Sequence, residues 1–169
     1  MCCGGSVEIY IEPIVTKKNL FIFGAGHIGA ALAQFAHQLQ FNVTVIDERD
    51  EMVEPLENTG PTIIHKQHSR AFDQLNFTPE TLVCVITHDH AYDREIVAHC
   101  AKQPHAYLGM IGSQRKVEMA KKTFLAGDIL TEDEMAAIDW PMGIDIRVET
   151  PEEIAIAILA RLIDVRSGL

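Results

Sequence analysis

Short apolar runs alternate with longer amphipathic segments from residue 19 onwards. Buried parallel strands are apolar on both faces, whereas a helix packed on a sheet carries apolar residues at every third or fourth position. This pattern favours helices after the first, fourth and fifth apolar runs, and the runs themselves predict strands over 20–23, 43–46, 62–65, 82–86 and 105–108. Strands that alternate with helices indicate an α/β fold, a doubly wound parallel sheet of Rossmann-like architecture.

The first sixteen residues follow a different pattern. Val7, Ile9 and Ile11 alternate with polar or amphipathic residues until Pro13. A period of two is typical of a half-exposed strand. We therefore predict an N-terminal arm with one β-strand over residues 1–16, and a single Rossmann-like cofactor-binding domain over residues 17–169.

A glycine-rich turn follows the first predicted strand and opens an amphipathic helix. Its spacing is G-x-G-x-x-G, which provides a tight turn and close backbone approach to a pyrophosphate at the helix start. The predicted cofactor-binding residues of this turn are Gly24, Ala25, Gly26, His27, Ile28 and Gly29. Asp47 ends the next strand, about 20 positions on, where a carboxylate that accepts a ribose hydroxyl pair is expected. The alternative is that the glycines serve only the tight turn.

Polar residues also follow the fourth and fifth strands. Because ligands bind beyond the carboxyl ends of parallel strands, we predict contacts from Thr87, His88, Asp89 and His90. Asp89 could instead act only as a helix N-cap. After the fifth strand, Arg115 and Lys116 would lie in the first turn of a helix, where their charge opposes the helix dipole.

That unfavourable placement indicates a phosphate or similar anion near the start of this helix. The predicted anion-binding residues are Gly112, Ser113, Arg115 and Lys116. The alternative is that Arg115 and Lys116 are ordinary solvated residues. His65 and His68 are three apart in a predicted loop, but no third ligand follows at a set spacing, so we interpret them as solvated and predict no metal site. Cys84 lies in an apolar run and is expected in the core.

Composition excludes several classes of function. The chain has 169 residues, of which 47% are hydrophobic and 22% charged, and a net charge of −10. Nucleic-acid binding requires clustered Lys and Arg, which are scattered here, so no nucleic-acid partner is expected. No apolar run approaches the roughly 20 residues of a membrane span, and the N-terminus has no signal-peptide pattern. We therefore expect a cytoplasmic protein.

Five motifs together resemble the C-terminal Rossmann domain of the XdhC/CoxI family of xanthine dehydrogenase accessory proteins. The resemblance extends over nearly the whole chain and rests on FGAGHIG, VIDER, THDHAYDREI, YLGMIGSQRK and GIDIRVETPEEIA. It implies a chaperone that binds molybdenum cofactor, as molybdopterin or its dinucleotide, for sulfuration and insertion. The implied partners are an apo-molybdoenzyme of the xanthine dehydrogenase type and a cysteine desulfurase, and a homo-oligomer is expected. The family's longer N-terminal domain is not in this sequence, so a separately encoded partner is expected to supply it.

Two alternatives use the same glycine-rich unit: an NAD-dependent oxidoreductase and a nucleotide-sensing regulatory domain. The sequence contains no clear acid/base pair for hydride transfer, so no catalytic residue is assigned and a maturation factor is favoured over a catalyst. Under the resemblance, Cys3 is a candidate contact for molybdenum or its terminal sulfur, because a thiolate is a soft ligand. The alternative is that Cys3 belongs to a disordered tail.

Overall fold

The computed structural model describes residues 7–10 and 17–169, and five parallel strands form its sheet. The spatial order is β3-β2-β1-β4-β5. The strands are β1 Asn19–Phe23, β2 Asn42–Asp47, β3 Thr62–His65, β4 Leu82–Val85 and β5 Tyr107–Met110. The predicted Rossmann-like parallel sheet is confirmed.

Helices connect the strands and cover both faces of the sheet. They are α1 His27–Gln38, α2 Asp50–Val53, α3 His68–Ala71, α4 His90–Cys100, α5 Gln114–Ala126, α6 Glu132–Ala136 and α7 Pro151–Ser167, with 3₁₀ turns at Glu54–Leu56 and Phe72–Gln74. Two helix starts carry a complete capping box, Thr131 with Glu134 and Thr150 with Glu153. Among the helices in the described residues, none has the length and apolar character to cross a membrane.

The central strand β1 divides the core into two layers. Its alternate residues point to opposite faces of the sheet. Leu20 and Ile22 join the cluster that α1 and α7 cover, while Phe21 and Phe23 join the cluster that α4 and α5 cover. These four residues are at most 4% exposed, which explains why the strand is apolar at consecutive positions.

The strand order reverses between β1 and β4. The chain runs from β1 outwards through β2 to β3, then returns to the other side of β1 for β4 and β5. The connections that leave β1 and β4 therefore diverge, and a crevice opens beyond the carboxyl ends of these strands. In a doubly wound sheet this is the expected ligand position.

Some boundaries differ from the predicted ones. The last strand begins at Tyr107, not at residue 105, because its pairing with β4 begins where Tyr107 lies opposite Leu82. Val7 to Tyr10 are exposed and belong to no strand, so the predicted arm strand is not found in these four residues. The remainder of that strand lies outside the described residues.

Candidate functional site

The three glycines of the turn between β1 and α1 have different physical requirements. Gly24 has φ +112°, and a Cβ there would lie 2.3 Å from the carbonyl oxygen of Ile86. A Cβ on Gly29 would lie 1.9 Å from the carbonyl oxygen of Gly24. Gly26 has an ordinary φ of −62°, and a Cβ there would meet no protein atom within 4 Å. Packing of the turn therefore requires Gly24 and Gly29, but it does not explain Gly26.

A cleft of about 390 Å³ lies directly in front of Gly26. Segments that follow four of the strands contribute to its walls, so it occupies the crevice where the strand order reverses. Its lining residues are Gly26, His27, Ile28, Arg49, Met52, Ile86, Thr87, His88, Ile111 and Pro151. The predicted residues Gly26, His27, Ile28, Thr87 and His88 are thus brought together.

Three helices, α1, α2 and α7, begin at this cleft. The first amides of a helix have no intrahelical acceptor and carry the positive end of its dipole. The first turn of α1 contains no acidic residue, and Gly26 at its N-cap offers no side-chain cap. The first turns of α2 and α7 contain two acidic residues each, which compensate their dipoles: Asp50 and Glu51 in α2, and Glu152 and Glu153 in α7. The start of α1 is therefore the strongest attraction for an anion among the three.

Asp47 is engaged by donors of the protein itself. Its Oδ2 accepts hydrogen bonds from the amide of Ala25 (2.7 Å) and from Nη2 of Arg49 (2.7 Å). Its Oδ1 accepts from the amide of Arg49 (3.1 Å) and from Nε of Arg49 (2.9 Å). Four donors fill the acceptor positions of a carboxylate, and the side chain is 1% exposed. This carboxylate braces the glycine turn, and its predicted contact with a ribose hydroxyl pair stays a prediction.

The electrostatics of this pair follow from its hydrogen bonds. Burial alone would raise the pKa of Asp47, but the hydrogen bonds from Arg49 and Ala25 outweigh burial and lower it from 3.8 to about 2. The same contacts raise the pKa of Arg49. The side chain of Arg49 is 24% exposed and lines the cleft. Arg49 is not among the site residues predicted from the sequence, although a basic residue two positions after the strand-end carboxylate is a visible signal.

A smaller pocket of about 50 Å³ lies between α4 and α5. Ile111 lines both this pocket and the cleft, so the two adjoin. The other residues that line the smaller pocket are His90, Asp93, Arg94, Met110, Lys116, Met119 and Ala120. The predicted residues His90 and Lys116 therefore lie at the pocket and do not line the main cleft.

Asp93 is the buried carboxyl of this pocket. It is 4% exposed, and its Oδ1 lies 2.6 Å from the hydroxyl of Thr87. That hydroxyl also lies 2.8 Å from the carbonyl oxygen of Asp89 and has only one proton to donate. The hydroxyl and the amide of Thr87 both donate to Oδ1 of Asp93, and burial raises the pKa of Asp93 against these hydrogen bonds, which lower it.

Several predicted site residues line neither opening. Gly24, Ala25 and Gly29 build the turn behind the cleft. Asp89 accepts a hydrogen bond from the amide of Ala91 (2.7 Å), which confirms it as the N-cap of α4. Ser113 occupies the N-cap position of α5 without a side-chain cap bond, and Gly112, Ser113 and Arg115 do not line the cleft. Cys3 lies outside the described residues, so its role stays a prediction.

The family follows from comparison with known proteins. The model of the XdhC Rossmann domain matches residues 20–162. The chain belongs to this family. The resemblance that the five motifs carried is thereby confirmed, and the match includes the glycine turn and all the lining residues of the cleft.

This XdhC Rossmann domain is similar to parts of longer proteins, and it spans less than half the length of each. It is 32% identical over 168 residues to the uncharacterized protein YqeB of Escherichia coli strain K12, of which it spans 30%. It is 28% identical over 162 residues to a probable xanthine dehydrogenase subunit of Bacillus subtilis strain 168, of which it spans 47%. A solved structure of a xanthine dehydrogenase from Bacillus halodurans superimposes with a TM-score of 0.78 at 27% identity, covering 90% of this chain and 43% of that one.

The histidines and cysteines of this XdhC domain are placed as follows. His65 ends β3 and lies 3.1 Å from a carboxylate oxygen of Asp50. His68 is 2% exposed on α3, so its predicted solvated position was wrong. Cys84 and Cys100 are fully buried, and burial raises the pKa of both thiols, that of Cys100 to about 12. Neither is available as a thiolate ligand at neutral pH. Within residues 7–10 and 17–169, no group of three or more His, Cys, Asp or Glu side chains could hold a metal ion.

Proposed function

We propose that this domain binds molybdenum cofactor, as molybdopterin or its dinucleotide, during maturation of a xanthine dehydrogenase-like hydroxylase. Membership of the XdhC Rossmann domain family supports this proposal. So do the similar proteins, since the solved structure is named a xanthine dehydrogenase and the Bacillus subtilis relative a probable subunit of one. The domain acts as a carrier and not as the catalyst of hydroxylation.

The open space in front of Gly26 is the observation that best supports a bound phosphate. A Cβ at this position would enter the cleft without touching protein, so glycine here leaves room for something outside the protein. In a glycine-rich turn at a helix start, the middle glycine lets a pyrophosphate approach the backbone. The chemistry of the turn therefore fits a phosphate-bearing cofactor.

Each wall of the cleft has a distinct task in this proposal. The backbone amides of His27 and Ile28, at the uncompensated start of α1, would hold the phosphate. Ile86, Ile111 and Met52 offer apolar surface to a ring system, and these residues shield one side of it from water. When bound, the cofactor supplies the molybdenum centre that the recipient enzyme uses.

Transfer to a partner requires that the cofactor enters and leaves from the surface. The cleft is open at the carboxyl edge of the sheet, where His27 and His88 are exposed. We place the apo-hydroxylase, and a cysteine desulfurase that supplies the terminal sulfur, at this edge. The matched relatives are at least twice as long as this chain, and their additional length offers further surface for such partners.

The test is a titration of the purified chain with molybdopterin, molybdopterin cytosine dinucleotide and NAD, followed by calorimetry. Binding of either molybdenum-cofactor form is expected, and Gly26→Val should weaken it at least about tenfold because its side chain fills the phosphate position. Gly168→Val is the matched control, since this glycine lies beyond the end of α7 and an added Cβ would have only ordinary contact with the carbonyl oxygen of Val165.

Two outcomes would contradict the proposal. Equal cofactor affinity of Gly26→Val and the wild type would place the site elsewhere. Tight NAD binding with hydride transfer, and no binding of either molybdopterin form, would favour an oxidoreductase instead.

A further inference from the structure

Arg49 replaces the ribose-binding carboxylate as the polar group that β2 offers to the cleft. Dinucleotide sites of this fold use an acidic residue at the end of the second strand to accept two ribose hydroxyls. Here that residue is Asp47, which is 0% exposed and fully engaged by four donors. A ribose diol could reach Asp47 only by displacing Arg49.

The guanidinium retains donors after it has paired with Asp47. Arg49 uses Nε and one Nη2 hydrogen for the carboxylate, and a guanidinium has five N–H donors in all. The two hydrogens of Nη1 and the second hydrogen of Nη2 are left. Arg49 lines the same cleft as Gly26, so these donors belong to the wall that faces the bound molecule.

The surrounding charges set the direction of the preference. Glu48 and Glu51 are close enough to raise the pKa of Arg49, yet neither lines the cleft. The cation is therefore the charged group that β2 presents on the lining surface. Guanidinium binds phosphate through strong charge-assisted hydrogen bonds, whereas it has no acceptor to offer a hydroxyl proton.

We propose that Arg49 makes the cleft select a ligand with a phosphate monoester near the end of β2 over one with an unsubstituted ribose diol. This inference rests on the cleft being the cofactor site of the proposed function. The same chemistry has two sources: the 2′-phosphate of an NADP-type dinucleotide, and the terminal phosphate of molybdopterin, which Arg49 would share with the amides at the start of α1. Both are expected to bind more tightly than their diol counterparts, NAD and molybdopterin cytosine dinucleotide.

The first experiment compares NADP with NAD on the wild-type chain by calorimetry, in parallel with molybdopterin and molybdopterin cytosine dinucleotide. NADP should bind at least about tenfold more tightly than NAD, the effect of one charge-assisted hydrogen bond. This comparison requires no variant, so it is independent of any folding defect. Equal affinities, an NAD preference, or no binding of either nucleotide would overturn the inference.

Variants then assign the preference to the side chain. Arg49→Ala should reduce the NADP to NAD ratio to about one, while Arg49→Lys, which keeps the charge and a partner for Asp47, should retain part of it. Lys122→Ala, an exposed residue of α5, removes one positive charge elsewhere and should leave the ratio unchanged. If Arg49→Ala folds and keeps the full ratio, the role of Arg49 is refuted.

The result separates this inference from the proposed function. If Gly26→Val abolishes molybdopterin binding but NADP and NAD do not differ, the proposed function stands and the Arg49 inference fails. If NADP is preferred but neither molybdopterin form binds, the inference stands and the molybdenum-cofactor role fails. If nothing binds, both fail.

Discussion

The glycine turn separates the requirements of folding from those of binding, and substitution by alanine tests the separation directly. Gly29→Ala places a Cβ 1.9 Å from the carbonyl oxygen of Gly24, and Gly24→Ala places one 2.3 Å from that of Ile86. Both clashes are with backbone, which cannot rotate away. Gly26→Ala meets no protein atom within 4 Å. We predict that the first two variants are destabilised and that the third is not.

The magnitudes follow from these distances. Overpacking that forces backbone shifts costs about 1–3 kcal/mol or more, and at Gly24 the φ of +112° adds backbone strain. At Gly26, alanine is a poorer N-cap than glycine by a few tenths of a kcal/mol, but it stabilises by a similar amount through the lower entropy of the unfolded chain. Gly26→Ala should therefore stay within about 0.5 kcal/mol of the wild type.

The assay is urea and thermal unfolding followed by circular dichroism, without ligand. For a domain of this size about 1 kcal/mol shifts Tm by about 2–4 °C, so Gly24→Ala and Gly29→Ala should lose roughly 5 °C or more while Gly26→Ala changes by about 2 °C at most. The same Gly26→Ala protein should bind cofactor more weakly. A loss of stability in Gly26→Ala equal to that in Gly29→Ala would show that packing requires all three glycines, and the argument for a ligand at Gly26 would fail.

Two further predictions concern buried titratable groups. The pKa of Asp47 is 3.8 in the unfolded chain and about 2 in the folded protein. The interactions of Asp47 therefore add about 2 kcal/mol to the free energy of unfolding above pH 3.8, and this contribution is lost as pH falls towards 2. The difference in the free energy of unfolding between the wild type and Asp47→Asn, measured in urea, should shrink over this pH range. A difference that is constant with pH would contradict the prediction. Asp145→Asn, at an exposed position, is the control. Burial lowers the pKa of His68 below 6.5; the charges of His88 and Arg49 also lower this pKa, and those of Asp47 and Glu48 raise it. Because the folded state disfavours the protonated imidazole, the wild type should lose stability relative to His68→Phe as pH falls through 6.5. A pH-independent difference between these two proteins would refute the buried neutral state of His68.

The fold was predictable because local pattern and tertiary packing agree. Leu20–Phe23 and Leu82–Val85 are buried on both faces, and this requirement is written in the sequence as consecutive apolar residues. The capping signal at Asp89 was equally direct, because its side chain accepts the amide bond that its position indicated. The start of β5 depends on pairing with a strand that is distant in sequence, and the predicted start was two residues before the observed one at Tyr107.

The site was only partly predictable, because the residues that line it are set by three-dimensional neighbours. Spacing placed Asp47 correctly at the end of β2. It could not reveal that the side chain of Arg49, two positions later, donates two hydrogen bonds to this carboxylate. Similarly, the spacing of His65 and His68 indicated a loop, whereas α3 turns His68 into the core beside Phe23 and Tyr92. Pro151 is about 120 residues from the glycine turn and reaches the cleft only because α7 packs along α1.

The Asp47–Arg49 pair links stability to ligand choice in this domain. The carboxylate accepts a hydrogen bond from the amide of Ala25, so it fixes the turn that presents Gly26. A carboxylate with that structural task cannot also be released to a ribose diol without loosening the turn. The guanidinium that neutralises it is then the group left at the surface of the cleft. Removal of Arg49 should therefore weaken binding in two ways: the phosphate contact is lost, and the buried carboxylate of Asp47 is left without its cation. Arg49→Lys should keep a cation for Asp47 more fully than it keeps the phosphate contact.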